Sequence, residues 1–297
     1  MEKLKVGTIG ALGRIGSQLE DDKLREHPCT HLGAFKQSSE FTVEAICDLD
    51  LHALMDVGLI WGVPYVSVDY KQMIETHKLD VVSVATRVET HQKIVCDLAE
   101  SPNSPSLILV EKPMAISPYE AEKMIDACKQ ADVTLMVNHT RRWSSIYQAV
   151  KQAVDSGKIG HCLFTVGYAS REKDFDGNIH MFDVLEWFGQ PYVYVDCYPT
   201  DYLIFELNIF GKTGRINITD NGRMVNYYST RESLSYEKIK ELRLDMNPIL
   251  QCKDFEVNPW VALVNNIAGV LKHQEKPLCI GEDGLAALEA YTRWKFP

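Results

Sequence analysis

Short apolar runs alternate with helix-compatible segments over the first 137 residues, and this alternation constrains the fold more than any other feature of the chain. The clearest run is residues 107–110, Leu-Ile-Leu-Val, which is too short for a helix and too apolar for a surface loop. Such runs are typical of strands buried on both faces of a parallel sheet. Strands that alternate with helices predict an α/β fold, a Rossmann-type doubly wound parallel sheet, for residues 1–137.

The pattern changes after residue 137, and we place a domain boundary there. Five β-like segments follow, several of them joined by short turns, which is typical of an antiparallel sheet. These segments are residues 162–169, 192–198, 202–210, 214–219 and 223–228. Helical patterns at 260–271 and 284–294 end the chain, and we expect them to pack back on the first domain. Residues 138–297 are therefore predicted to form an α+β domain for substrate binding and oligomerisation.

The composition excludes several classes of function. The chain has 297 residues, of which 45% are hydrophobic and 24% charged, as is ordinary for a soluble globular protein. A net charge of -10 argues against a nucleic-acid or membrane partner, and no apolar run is long enough to cross a bilayer. The eight cysteines contain no C-x-x-C pair, so no metal site is predicted. With no signal-peptide pattern at the start, we expect a reduced cytoplasmic protein.

A glycine-rich turn follows the first predicted strand, residues 4–9. Strand, glycine turn and helix in this order form a dinucleotide site, because glycines let the backbone approach a pyrophosphate that helix N–H groups bind. The G-x-x-G-x-x-G spacing is one residue longer than the common fingerprint, and a plain glycine turn is the alternative. The candidate cofactor contacts here are Gly10, Leu12, Gly13, Arg14, Ile15 and Gly16.

Asp48 comes directly after the second predicted strand, residues 42–47. An acid at this place accepts hydrogen bonds from ribose hydroxyls and would repel a 2′-phosphate, so Asp48 predicts NAD rather than NADP. It lies farther from the glycines than the usual ~20 residues, and we expect an extended first helix and loop over residues 21–40. Asp50 competes for the same role, and the alternative for Asp48 is an acid that starts a turn.

The apolar run at 107–110 leads directly into Glu111-Lys112-Pro113. Proline cannot donate to a sheet ladder, so the strand must end there. Ligands of open α/β sheets bind beyond the carboxyl ends of the strands, which makes Lys112 a candidate for chemistry. A surface lysine beside a turn proline is the alternative.

Four patterns along the chain resemble the family of glucose–fructose oxidoreductase and inositol dehydrogenase, Gfo/Idh/MocA. They are the glycine turn, Thr86 with His91, Glu111-Lys112-Pro113, and residues 176–183, which are similar to the family's D-x-G-x-H-x-x-D. The stretches 141–143 and 281–285 also look like family features. The chain departs from the family at Arg87, where proline is usual, and at Asn178, where the fourth motif has its glycine.

The resemblance implies an NAD(P)-dependent dehydrogenase that moves a hydride between nicotinamide and a hydroxyl carbon of a sugar, sugar nucleotide or cyclic polyol. The family's Lys-Asp-His set corresponds to Lys112, Asp176 and His180. His180 would act as acid/base and Asp176 would orient it, while Lys112 would hydrogen-bond the reacting oxygen and share the proton relay. For His180 the alternative is a histidine packed under the sheet.

The resemblance also suggests contacts around the reacting groups. Thr86, His91, Glu111 and Lys112 are expected on the cofactor side, with His91 structural and Glu111 near the nicotinamide ribose. Expected substrate contacts are Asn138, Arg142, Trp143 and Asp183. An exposed helix start is the alternative for Arg142 and Trp143, and a local cap for Asp183.

Two other functions stay open at this point. One is a reductase of another small ring compound, as in biliverdin reductase, and the other is a non-catalytic NAD-binding regulator. The complete Lys112, Asp176 and His180 set favours the alcohol chemistry over both. A homodimer or homotetramer through the C-terminal sheet is expected.

Overall fold

The computed structural model of the protein describes residues 2–170, 177–189, 191–198, 200–245 and 257–296. The chain divides into two compact units. Unit 1 comprises Met1–Thr140 and Asn258–Thr292, and unit 2 comprises Arg141–Val257 and Arg293–Pro297. Among the described residues, none of the helices combines the length and apolarity that a bilayer span requires.

Unit 1 contains a six-stranded parallel sheet with the order β3-β2-β1-β4-β5-β6. The strands are β1 Leu4–Ile9, β2 Phe41–Cys47, β3 Tyr65–Ser67, β4 Val81–Val84, β5 Leu107–Val110 and β6 Thr134–Val137. This order is that of the dinucleotide-binding Rossmann fold, whose strand order reverses between β1 and β4. The predicted doubly wound parallel sheet is confirmed.

Helices follow most of the strands of this sheet. They are α1 His31–Gln37, α2 Leu51–Trp61, α3 Tyr70–Thr76, α4 Val88–Ala99 and α5 Pro118–Gln130, with α8 Pro259–His273 and α9 Gly281–Lys295 near the end of the chain. Side-chain caps fix several starts: Ser117 Oγ, for instance, accepts from the N–H of Glu120, with Pro118 in the first turn.

The helix predicted directly after the glycine turn is reduced to one turn. Of the extended first helix and loop predicted over residues 21–40, the loop is present, but the helix is short and begins late. The chain makes a single helical turn after Gly13 and a 3-10 helix at Gln18–Asp21, and α1 begins only at His31. The N–H groups of His31 and Leu32 donate to the carbonyls of Ile15 and Gly16, both at 3.0 Å. Residues 18–30, hereafter the excursion loop, therefore interrupt a helix: the turn after Gly13 lies before them, and α1 continues its hydrogen bonding after them. This loop accounts for the wide spacing between the glycines and Asp48.

The two helices near the end of the chain pack on this sheet. A side chain at Gly284 would collide with Met114 and Val137, so α9 lies close to the end of β6. Trp260 of α8 packs edge-on against His31, with ring centroids 5.1 Å apart. Lys272 of α8 pairs with Glu40, just before β2, at 2.7 Å. Segments distant in sequence therefore complete the core of unit 1.

Unit 2 is built on a second six-stranded sheet, with the order β12-β11-β10-β9-β7-β8. All pairs are antiparallel except β7 with β8, which confirms the predicted mainly antiparallel sheet. The strands are β7 Cys162–Ala169, β8 Tyr192–Asp196, β9 Phe205–Gly211, β10 Gly214–Thr219, β11 Met224–Glu232 and β12 Lys240–Leu244. The helices are α6 Ser145–Asp155 and α7 Gly177–Phe188, preceded by a 3-10 helix at Thr140–Trp143. Helices α6 and α7 contribute to the core with the inward residues of this sheet.

Candidate active site

The glycine turn lies at the carboxyl end of β1, where the strand order of the sheet reverses. Gly10 has φ +86° and an added Cβ would lie 2.7 Å from the carbonyl group of Ala85, so both conformation and space demand glycine. A Cβ on Gly16 would collide with the carbonyl oxygen of Gly10. The Gly10 N–H donates to Cys47 at 2.8 Å, which ties the turn to the end of β2. The turn is therefore a compact backbone surface beside the neighbouring strand ends.

Asp48 is bonded to this turn. Its Oδ2 accepts from the N–H of Leu12 at 2.8 Å, and its Oδ1 accepts from the N–H of Leu49 at 2.7 Å. Asp50, the competing acid, caps α2 by accepting from the N–H groups of His52 and Ala53. The structure thus separates the two acids, with Asp48 beside the glycine turn and Asp50 engaged in a helix cap.

Thr86 and His91 lie where β4 passes into α4. His91 is buried, and its ring nitrogens face the carbonyl oxygens of Thr86 at 3.0 Å and Pro113 at 3.1 Å. Burial lowers the pKa of His91, and the two carbonyl groups offset part of this shift. His91 therefore links the residue after β4 to the turn after β5.

Glu111 is buried at the end of β5 and its carboxylate is engaged within unit 1. Oε1 faces His31 Nε2 at 2.9 Å and accepts from Asn138 Nδ2 at 2.5 Å, and Oε2 accepts from the Lys112 N–H at 3.1 Å. Burial alone would raise the pKa of Glu111, but hydrogen bonding and charge from His31, with help from Lys112 and Asn138, hold it below its ordinary value. Glu111 thus fixes the backbone of Lys112, and its contact with a cofactor stays a prediction.

Lys112 is half-buried directly beyond β5, and the Lys112–Pro113 peptide bond is cis. The strand that precedes Lys112, β5, lies between β4 and β6 in the sheet. Asn138, a predicted substrate contact, follows β6, is buried, and donates to Glu111. The carboxyl edge of the sheet therefore brings together the residues predicted at the strand ends of unit 1, namely Gly10, Asp48, Thr86, Glu111, Lys112 and Asn138.

Sequence reasoning missed His31 and Ser83. His31 is fully buried, and its Nδ1 lies 2.5 Å from Ser83 Oγ of β4 while its Nε2 faces Glu111. An ionised carboxylate can only accept, so Nε2 carries a proton in this arrangement. Neither residue belongs to a motif, and His31 reaches the site only because the excursion loop delays the start of α1. A sequence signal for this contact does not exist.

His180 is a buried residue of α7 in unit 2, within the described part of the fourth motif. Asn178, which stands where the motif has its glycine, accepts a hydrogen bond from Tyr194 at 2.6 Å. This bond ties the start of α7 to β8. Asp176, the third predicted catalytic residue, lies outside the described residues.

Arg142 and Asp183, both predicted to contact substrate, form a buried ion pair with each other. Arg142 Nε and Nη2 lie 3.0 and 2.9 Å from Asp183 Oδ1, and both side chains are at most 4% exposed. The Arg142 guanidinium also lies over the ring of Trp187. Trp143 is buried too, so an exposed helix start is the wrong alternative for this stretch. The pair connects the start of unit 2 to α7, three residues after His180.

The carboxyl edge of the unit 1 sheet fits a dinucleotide. The glycine turn at this edge has no side chains at Gly10, Gly13 and Gly16. Residues 14 and 15, between the second and third glycines, are accessible to solvent. Asn138 Oδ1 is buried and has no hydrogen-bond partner among the residues described here, which leaves an acceptor near Lys112. A backbone turn for phosphates, an acid for ribose and polar groups near a lysine are the parts such a ligand requires.

Comparison with known proteins agrees with this geometry. Residues 4–139 match a family described as an oxidoreductase family with an NAD-binding Rossmann fold. D-apiose dehydrogenase of Paraburkholderia graminis is 31% identical over 163 residues, which make up 55% of this chain and 40% of that protein. Myo-inositol 2-dehydrogenase of Thermotoga maritima is 28% identical over 157 residues, or 53% of this chain and 42% of that protein. The matched stretch is less than half the length of these curated relatives.

A solved structure extends the likeness of fold to nearly the whole chain. The oxidoreductase from Agrobacterium radiobacter, determined with NAD+, L-tartaric acid and magnesium, superposes with a TM-score of 0.74. It covers 98% of this chain and 95% of its own, at 18% sequence identity. At that identity the likeness concerns the fold alone.

Proposed function

We propose that this chain, whose residues 4–139 match the Gfo/Idh/MocA oxidoreductase family, is an NAD-dependent dehydrogenase of a small sugar or cyclic polyol. The observation that carries the proposal is Lys112, held directly beyond β5 on a backbone that the Glu111 carboxylate fixes. Relatives named for D-apiose and myo-inositol support the substrate class.

The proposed cofactor site uses the carboxyl edge of unit 1. The turn from Gly10 to Gly16 would hold the pyrophosphate, and Asp48 would accept from the adenosine ribose. Asp48 is fixed by Leu12 and would repel a 2′-phosphate, which supports NAD over NADP. Once bound, the nicotinamide supplies the hydride chemistry.

The chain itself handles the proton. The Lys112 ammonium would donate to the reacting oxygen and stabilise negative charge there, while His180 would take the hydroxyl proton as base. Lys112 belongs to unit 1 and His180 to unit 2, and Asp176 is assigned its orienting role by the motif alone. We assign the Arg142–Asp183 ion pair to fixing α7, and hence His180, within unit 2.

The outer face of the unit 2 sheet supports the expected homo-oligomer. Directly opposed residues form one row across five strands, and the neighbours in this row are Leu244, Tyr228, Arg215, Phe210 and Phe164. The two phenylalanines stack at 4.6 Å, and the Arg215 guanidinium lies 4.1 Å from the Tyr228 ring. Phe164 and Leu244 are exposed, and an exposed apolar patch on a sheet is typical of an interface. Light scattering of Phe164→Glu should give a smaller species than the native chain; an unchanged mass would contradict this interface.

The function is tested by turnover. The purified protein is incubated with NAD and a panel containing D-apiose, myo-inositol, scyllo-inositol, aldoses and nucleotide sugars, and NADH is followed by absorbance. We expect turnover of at least one sugar or polyol. NAD binding with no turnover across the panel would instead support a regulator, and NADH-dependent reduction of an unsaturated ring compound alone would support a reductase.

A further inference from the structure

Three side chains of different ligand type converge on the excursion loop, and none of them is among the residues proposed for the active site. They are Glu20 at the 3-10 helix, His27, and Cys29, and their ligand atoms all lie within 4.8 Å of one another. His27 Nδ1 is 2.9 Å from Glu20 Oε2 and 3.7 Å from Cys29 Sγ. Their order along the chain, Glu-x6-His-x-Cys, matches no paired-cysteine spacing, so the sequence alone gives no sign of the cluster.

The carboxylate of Glu20 is held in place by its other oxygen. Oε1 accepts from the N–H of Cys29 at 2.7 Å and from the N–H and hydroxyl of Thr30, both at 2.9 Å. Oε2 is thereby directed at the imidazole. Hydrogen bonds that orient a ligand in this way are typical of metal sites, where they fix the geometry of the coordinating atom.

The chemistry of the three donors selects a class of metal. Imidazole nitrogen, thiolate sulfur and one carboxylate oxygen suit Zn²⁺ and related transition metals, whereas Mg²⁺ and Ca²⁺ require mostly oxygen ligands. Zinc bonds of about 2.0–2.3 Å place tetrahedral ligand atoms roughly 3.3–3.8 Å apart. The nitrogen–sulfur distance of 3.7 Å lies in this range, and the nitrogen–oxygen distance of 2.9 Å would have to lengthen to admit the ion. The His27 side chain is 40% exposed and can move outward to admit the ion.

A role for Cys29 as a nucleophile fits less well. Cys29 is buried, and its thiol lies 3.1 Å from the carbonyl oxygen of Leu19. Burial, with Glu20 next to it, raises the pKa of Cys29 to about 11, and reactive thiols have lowered values. A metal that binds Cys29 would displace its proton to solvent.

We propose that Glu20, His27 and Cys29 form a three-ligand site for a zinc-class transition metal, with a water molecule completing the coordination. The site would close the excursion loop between the single turn after Gly13 and α1. Thr30, which donates to Glu20, also caps α1 by accepting from the Gly33 N–H at 3.1 Å. Metal binding would therefore stabilise the start of α1, from which His31 reaches Glu111.

The test uses the full chain, stripped of metal with a chelator and titrated with Co²⁺. We expect one equivalent to bind and to produce tetrahedral visible bands with a near-ultraviolet thiolate-to-cobalt band, all displaced by Zn²⁺. Cys29→Ser should abolish the thiolate band, and His27→Gln should weaken binding roughly hundredfold or more. The matched controls Cys96→Ser and His52→Gln change a half-buried thiol and an exposed imidazole elsewhere, and should bind as the native chain does.

A thermal readout separates loss of the site from loss of the fold. Zn²⁺ should raise the Tm of the native chain and of both controls, because a ligand that binds only the folded state stabilises it. It should not raise the Tm of His27→Gln, whose exposed side chain can change without disturbing the core. Absence of stoichiometric Co²⁺ binding, or a thiolate band that survives in Cys29→Ser, would overturn the proposal.

Discussion

His31 Nε2 lies 2.9 Å from Glu111 Oε1, so the first residue of α1 is bonded to the carboxylate that fixes the backbone of Lys112. Ser83 holds the other ring nitrogen, and Asn138 donates to the same carboxylate oxygen. The four side chains are buried and come from different segments of unit 1. His31 is thus a positioning residue that acts on the proposed site through Glu111.

Replacing His31 should expose this role. His31→Leu keeps the bulk but leaves the buried Glu111 charge without its main partner, and should cost about 3 kcal/mol of unfolding free energy. His31→Gln retains a donor and should recover most of the stability and of kcat. Urea unfolding and steady-state kinetics measure both, with His52→Leu on exposed α2 as the control. If His31→Leu is as stable and as active as His31→Gln, the side chain of His31 only fills space and has no positioning role.

Glu111 should make stability depend on pH in acid. Its pKa in the folded state is held below the ordinary 4.5, so its contribution is complete above 4.5 and is lost as the pH falls further. Glu111→Gln lacks this titration and should be less stable at pH 7 by about 2 kcal/mol. Below pH 4.5 the difference in unfolding free energy between the native chain and Glu111→Gln should shrink by up to about 1.4 kcal/mol per pH unit. Unfolding at several pH values tests this against Glu122→Gln, an exposed residue of α5; a constant gap would contradict it.

The parts of the fold that could be predicted from the sequence are those in which burial dictates the residue pattern. Strands such as β5 are continuous apolar runs because both faces are covered, and the alternation of strands and helices then dictates the parallel sheet. β12 was missed because Lys240–Leu244 lies at a sheet edge, where charged residues alternate with leucines. Motif spacing placed Lys112 and Asp48 at strand ends. It could not place His31 or the Glu20 cluster, because both depend on how the excursion loop folds back.

Gly10 should tolerate no side chain. Gly10→Ala combines a left-handed backbone, costing about 1–2 kcal/mol in an L-residue, with a collision against Ala85. We expect loss of NAD binding and a destabilisation greater than that of the control. Gly157→Ala has a similar φ of +77° with nothing within 4 Å, and isolates the backbone cost. Calorimetric NAD binding and Tm measure the two effects. Equal behaviour of the two variants would show that the close approach at Gly10 is unimportant.

Asp48 should decide between the two cofactors. Asp48→Asn keeps an acceptor for the Leu12 N–H but removes the charge that would repel a 2′-phosphate. The ratio of the NADP Kd to the NAD Kd should fall by roughly tenfold or more, since like-charge contacts cost several kcal/mol. Asp50→Asn, which preserves the α2 cap, should leave the ratio unchanged. Fluorescence titration with NADPH and NADH gives the same ratio for the reduced cofactors, and a shift in the Asp50 variant alone would reverse the assignment.

Lys112 should be required for turnover but not for cofactor binding. Lys112→Ala removes the ammonium that is proposed to hold the reacting oxygen, and should lower kcat by about 10²–10⁴-fold. The Kd for NAD should change little, because the turn and Asp48 are untouched. Lys129→Ala, which removes an exposed lysine of α5, is the control. Lys129 pairs with Glu282 on the surface of unit 1, so its loss should leave kcat as it was. If Lys112→Ala weakens NAD binding but retains the native kcat at saturating NAD, the lysine serves the cofactor and the proton chemistry belongs elsewhere.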